Sequence, residues 1–211
     1  MMHLGRPLTS LIAGAPGEIL TVLSRTEQPL TGRTIAALSD GRVSQAGVSR
    51  AIGGLVDAGV VVAVPAGRAM LYSLNRDHVA ASALTNLASL REVLLERIRV
   101  ALKTWNPQPI AVAAFGSFGR GEGGPMSDVD LIIIRPDRVV ADDASWAEQV
   151  QQLSSSVCLW SGNSCDVLEY TRAELKRLVR VKDPLVGSLA TGLLDLAGES
   201  LGPLLRGRVE K

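Results

Sequence analysis

One stretch constrains this chain more than any other. A glycine-rich segment, Gly116-Ser117-Phe118-Gly119-Arg120-Gly121, stands between the apolar run Ile110–Phe115 and the phrase Ser127-Asp128-Val129-Asp130, which leads into Leu131–Ile134. Both apolar runs read as strands, and the density of branched residues in the second predicts a strand buried on both faces. Asp128 and Asp130 open that strand. Two residues apart on a strand, they share a face, with Cα atoms about 6.6 Å apart at about 3.3 Å rise per residue. Two carboxylates so placed repel unless a cation lies between them, and magnesium favours carboxylate and phosphate oxygens.

The glycines complete the picture. Gly116, Gly119 and Gly121 let backbone turn sharply and approach a ligand. Ser117 adds a hydroxyl, open backbone N–H groups attract anions, and Arg120 can present a fork of donors to phosphate. A phosphate cradle beside paired aspartates points to a nucleoside triphosphate with magnesium. Two other phosphate loops are excluded. There is no G-x-x-x-x-G-K-[ST], and the glycines spell G-x-x-G-x-G rather than G-x-G-x-x-G.

Gly116-Ser117, Arg120-Gly121 and Ser127-Asp128-Val129-Asp130-Leu131 resemble the signature of the DNA polymerase beta-type nucleotidyltransferases, above all the small "minimal" members of bacteria and archaea. The resemblance covers roughly residues 83 to 206, including a closing segment at 192–201. It implies an α/β (α+β) domain with a mixed sheet flanked by helices. It implies two Mg2+ ions about 3.5–4 Å apart, clamping the attacking and leaving oxygens. Asp128 and Asp130 would hold both ions. ATP or another NTP would be the substrate, with Gly116 and Ser117 on its β/γ-phosphates and Arg120 near the leaving pyrophosphate. A third carboxylate is implied on a later strand. Asp166, in Cys165-Asp166-Val167-Leu168-Glu169-Tyr170, is the best match, as a metal ligand and an aid to deprotonating the acceptor. Glu169 is the fallback, on the opposite face.

The front third has a different character. Residues 1–76 hold seven arginines, no lysine and four acids, a net +3, while residues 77–211 net −2. A short helix is expected over Gly17–Ser24. Thr31 is a predicted N-cap for Gly32–Leu38, and Ser44 for a longer helix over Gln45–Ala58. Val60–Val64 and Ala69–Leu74 flank a turn containing Gly67, as a β-hairpin does. Three helices and a hairpin resemble a winged helix-turn-helix. That resemblance places Gln45, Ser49 and Arg50 in a major groove and Arg68 of the wing on phosphate. Winged helices also serve as protein-docking or dimerisation modules, so both roles stay open.

Leucines at 84, 87, 90 and 94 with Ile98 predict one long amphipathic helix between Asp77 and Trp105, with Arg91 on its solvated side. Two domains follow: a winged helix over 1–77 and a nucleotidyltransferase domain over 78–211. In the latter, a helix over Ala144–Ser155, a strand over Asp166–Tyr170 and a helix over Arg172–Val179 are expected.

Two cysteines, Cys158 and Cys165, provide no disulfide framework, and His3 and His78 are not spaced for zinc. No apolar run reaches the ~20 residues of a membrane helix, and a cytoplasmic protein is expected. Three functions fit: nucleotidyl transfer to a hydroxyl of a protein, RNA or small molecule; a DNA-bound regulator that senses nucleotide without turnover; or a toxin–antitoxin component. A homodimer is the expected assembly.

Overall fold

The computed structural model describes residues 1–140 and 142–206; the last five residues of the expected second domain lie outside them. The chain forms two compact units, Arg6–Leu90 and a second made of Met1–Gly5 with Arg91 onward.

In the front unit, α1 (Ala15–Ser24) is followed by β1 (Leu30–Thr31), α2 (Gly32–Leu38) and α3 (Gln45–Asp57), then by β2 (Val61–Ala66), β3 (Ala69–Leu74) and α4 (Ala81–Ala88). Thr31 and Ser44 cap α2 and α3, their hydroxyls accepting from Thr34 N and Gly47 N at 3.1 Å each. Each cap satisfies a donor that the helix itself leaves open. The strands form an antiparallel sheet in the order β1-β3-β2. Ala66 pairs with Ala69 across a two-residue turn, and Gly67 at φ +61 supplies the positive φ that such tight hairpins require. The core gathers Ile19, Leu23, Ile35, Val48, Ile52 and Leu74.

The long helix expected between Asp77 and Trp105 is instead two helices. α4 ends at Ser89, and α5 (Leu90–Leu102) starts afresh. The leucine stripe serves two cores: Leu84 and Ala88 are buried in the front unit, while Leu94, Leu95, Ile98 and Leu102 are buried in the back one. A stripe read from spacing alone does not reveal that change of partner. It also explains why the compact units divide after Leu90, thirteen residues beyond the expected boundary at 77.

The back unit is built on a mixed sheet in the order β6-β5-β4-β7. β4 (Ala111–Phe115) leads into the short helix α6 (Gly116–Arg120), and β5 (Val129–Arg135) follows, antiparallel to β4. The helix α7 (Ala144–Ser161), a turn and a half longer than expected, returns the chain to β6 (Cys165–Thr171), parallel to β5. The helices α8 (Arg172–Arg180) and α9 (Pro184–Ala190) precede β7 (Leu194–Gly198), which is antiparallel to β4, and α10 (Leu201–Leu205).

Side-chain alternation splits this sheet into two cores. Val129, Leu131 and Ile133 pack with Leu94, Ile98, Trp146 and Val157 of α5 and α7. Ile132 and Ile134 pack with Leu175, Leu189 and Leu201 of α8, α9 and α10. All five of these β5 side chains are fully buried. At roughly 1.5–3 kcal/mol for each large aliphatic group buried, β5 is the anchor of the unit, and the residues that open it are held accordingly.

Candidate active site

β4 delivers the chain to Gly116 at the same edge of the sheet where β5 and β6 begin. Phe115 pairs with Asp130, and Asp130 in turn pairs with Asp166 on the parallel strand β6. Asp130 and Asp166 are therefore direct neighbours on one sheet face, shared with Ile132 and Ile134. Asp128 lies just before β5, in phase with Asp130. Glu169 is on the other face, where its Oε2 accepts the Trp146 Nε1 proton at 2.5 Å. Trp146 is fully buried and meets Trp105 edge-on at 5.3 Å. Glu169 thus has a structural partner away from the aspartates.

The electrostatics follow from this crowding. Burial raises the Asp130 carboxyl above its usual 3.8, and the neighbouring charges of Asp166 and Asp128 raise it further. Cys165, beside them, has its thiol pushed up to about 12, chiefly by burial. It is a packing residue rather than a nucleophile.

The glycine-rich segment is a single helical turn, not an open loop. Gly116 has φ +63, and a β-carbon there would lie 2.6 Å from Asp130 Oδ2. Glycine is required both by conformation and by the closeness of the carboxylate. Gly119 lies against the chain entering β7, where a β-carbon would come within 2.0 Å of the Gly192 carbonyl oxygen. Ser117 follows Gly116 in the first turn, where helix N–H groups have no intrahelical acceptor. Arg120 is ion-paired with Glu122 at 2.6 Å, its stem against Gly192; a phosphate would have to compete with that carboxylate.

Arg91 was read from the sequence as a solvated residue, and the structure corrects this. Its side chain is only 16% exposed. Nε and Nη2 donate to the Phe118 carbonyl at 3.2 and 2.8 Å, and Nη2 donates to the Gly119 carbonyl at 3.0 Å. The guanidinium also lies 5.4 Å from the centre of the Phe118 ring. A cation thus holds the carbonyl end of α6, where the helix dipole favours it. The sequence signal was weak: an arginine at the polar edge of an amphipathic helix.

A second support comes from residues that sequence spacing cannot link. Asn163, fully buried, donates from Nδ2 to the carbonyls of Ser127 at 2.9 Å and Met2 at 3.0 Å. It accepts from Met2 N at 2.9 Å, and Gly5 N donates to the Gly123 carbonyl at 2.8 Å. Met1–Gly5 thus braces the loop between the glycine turn and Asp128. The front-third reading had assigned these residues to the other domain.

Among the described residues, no group of three His, Cys, Asp or Glu side chains by itself forms a ready metal cage. The donor set still suits magnesium, an ion held by one or two carboxylates together with substrate phosphates rather than by an all-protein shell.

In the front unit, Gln45, Ser49 and Arg68 line one groove of about 430 Å3, together with Thr31, Arg33 and Tyr72. Arg50 does not line it; its Nε turns back to the Ala46 carbonyl at 3.4 Å. Ser49 Oγ is similarly committed to the Gln45 carbonyl at 3.0 Å. Arg33, at the start of α2, was not foreseen. Among the described residues, no helix is long and apolar enough to cross a membrane.

Residues 95–185 match the model of the family described as "Nucleotidyltransferase domain". The bifunctional uridylyltransferase/uridylyl-removing enzyme of Bordetella pertussis is 34% identical over 103 residues, 48% of this chain and 12% of that enzyme. Its counterpart in Ruegeria pomeroyi is 49% identical over 51 residues, 24% of this chain and 5% of the relative. The chain therefore spans only a small part of the relatives it matches. A solved structure described as a toxin-antitoxin with AMP-PNP is 18% identical with a TM-score of 0.36, covering 54% of this chain and 82% of that one.

Proposed function

Starting from a nucleotidyltransferase domain at residues 95–185, we propose that the chain moves a nucleoside monophosphate from a nucleoside triphosphate to an acceptor hydroxyl, with magnesium. The observation that carries this is the register of Asp130 with Asp166, next to Asp128 and under Gly116. Asp128, Asp130 and Asp166 would hold the metal, which when bound supplies charge neutralisation at the phosphates and activates the acceptor oxygen.

The chain's own part is mostly positioning. The Gly116-Ser117 turn receives the β/γ-phosphates at the open end of α6, and Arg91 fixes that turn from behind. Asp166, exposed at the strand start, takes the acceptor hydroxyl proton. The acceptor oxygen bonds to the α-phosphorus as its bond to the β-phosphate bridging oxygen breaks, releasing pyrophosphate. Positioning and electrostatics carry phosphoryl-group chemistry, so no histidine or thiol nucleophile is required.

The front unit is a winged helix-turn-helix in this reading, with β2 and β3 as the wing. Its groove, with Arg33 and Arg68 among polar Gln45, Ser49 and Thr31, supports contact with duplex DNA. Arg68→Ala is expected to reduce the salt dependence of DNA binding by about one phosphate contact. Equal affinity and slope would leave the unit a docking module.

The test of the main reading is transfer from α-labelled triphosphates with magnesium, in the presence of total RNA, cell lysate or small hydroxyl acceptors. The double variant Asp128→Ala/Asp130→Ala serves as control. Label transferred by the native chain and not by the variant establishes the reaction; nucleotide binding without any transfer would make the domain a sensor.

A further inference from the structure

The helix α8 (Arg172–Arg180) carries a surface that the reaction so far leaves unused. Between residues 172 and 182 stand Arg172, Lys176, Arg177, Arg180 and Lys182 against one acid, Glu174. The apolar side is Leu175, fully buried, with Val179 packed beside it. At 3.6 residues per turn, Lys176, Arg177 and Arg180 fall within an arc of roughly 100° on the opposite side. All three are exposed.

The nearby acids are engaged elsewhere. Glu174 accepts from Thr171 N at 2.7 Å and Thr171 Oγ1 at 3.0 Å in a capping box. Those bonds lower its carboxyl pKa. Asp183 caps α9, accepting from Leu185 N at 2.9 Å. Arg172 is paired with Glu199. Lys176, Arg177, Arg180 and Lys182 make no ion pair with any described residue. Like charges this close on one helix repel, a cost that the C-terminal end of the helix dipole offsets only in part at Arg177 and Arg180.

The position of α8 gives the charge a use. The chain leaves β6 at Thr171, paired with Arg135 at the far edge of the sheet. It re-enters the sheet at Leu194, paired with Ala114 at the edge of Gly116 and the aspartates. α8 and α9 carry it back along the face that Asp130 and Asp166 share with Ile132 and Ile134.

We propose that this basic face of α8 holds the phosphate backbone of a single-stranded nucleic acid whose terminal hydroxyl is the acceptor. The proposal rests on the nucleotidyl-transfer reading and names its substrate class. Such a strand offers what both surfaces require: a hydroxyl for the carboxylate edge and a row of phosphates for the helix. α8 carries no aromatic residue on which bases could stack, so contact is to phosphate and independent of sequence.

The experiment uses the full chain and a short single-stranded RNA labelled with a fluorophore, with anisotropy read across a salt series. Lys176→Gln/Arg177→Gln/Arg180→Gln is compared with the native chain and with Arg33→Gln/Arg68→Gln. Each variant's melting temperature is checked against the native value, and magnesium-nucleotide binding is measured on the same samples. The α8 variant is expected to lose at least about tenfold in RNA affinity, with a salt slope lower by about 2, and to bind nucleotide unchanged. Native RNA affinity in that variant, loss confined to the front-unit variant, or a preference for an acidic peptide over RNA would each overturn the proposal. Failure of the native chain to bind magnesium-nucleotide would instead sink the transfer reading, a separate outcome from the RNA titration.

Discussion

Gly116 and Asp130 approach so closely that a β-carbon on the glycine would stand 2.6 Å from the Asp130 Oδ2. The turn proposed to receive phosphates and the carboxylate proposed to hold metal are thus built against each other. Gly116→Ala must both adopt a φ of +63 and displace that carboxylate. We expect it to lower nucleotidyl transfer by about 100-fold, some 2.7 kcal/mol of barrier. The strain should cost ~1–3 kcal/mol of stability. Pyrophosphate release and a denaturant titration measure the two; native turnover would mean that Asp130 does not act from this position.

Asp166 and Glu169 separate cleanly by face. Asp166→Asn should abolish most transfer while leaving the melting temperature near native, because the side chain is exposed. Glu169→Ala should do the reverse. It strips the acceptor from the buried Trp146 indole N–H, a loss of ~1–3 kcal/mol, with transfer retained wherever the fold is intact. The opposite pattern would move the third carboxylate to Glu169.

Arg91 touches the backbone of the turn and not the reacting atoms. It is a positioning residue, and its signature is a split between parameters. Arg91→Ala should raise the KM for nucleotide by about tenfold, as three hydrogen bonds to the turn are lost, with a smaller change in kcat. Lysine at 91 keeps the charge but not the fork, and should restore part of the affinity. A uniform fall in kcat with unchanged KM would contradict this role.

The pH dependence of stability follows from Asp130, whose carboxyl is raised by burial and by Asp166 and Asp128. A carboxyl with a folded pKa above its unfolded value favours folding while protonated. That contribution is complete below the unfolded value and lost as pH rises through the folded one. Without metal, the native chain should therefore lose stability over this window, and Asp130→Asn should melt higher at neutral pH. The difference should close below about pH 4. Magnesium should raise the native melting temperature more than that of the variant; equal shifts would place the ion elsewhere.

What was legible in the sequence was local. The Gly-Ser turn, the phase of Asp128 with Asp130 and the caps at Thr31 and Ser44 each depend on a few adjacent residues. Parity along β6 likewise separated Asp166 from Glu169. The register of Asp130 with Asp166 was not legible, since it needs the crossover through α7. Arg91 escaped because its acceptors are carbonyls 27 and 28 residues away, and a carbonyl has no residue identity to read. Arg50, placed with Gln45 and Ser49 by the winged-helix resemblance, is exposed but rests its Nε on the Ala46 carbonyl of its own helix, a detail that no sequence pattern carries.

Asn163 joins the carbonyls of Met2 and Ser127, and this has a consequence for how the chain is made. Met2 and Gly5 are made well before their partners at 123, 127 and 163, with the whole of Arg6–Leu90 between. The brace behind the aspartate loop therefore cannot close until Asn163 has emerged, and the two ends of the back unit meet only after the front unit's chain is complete.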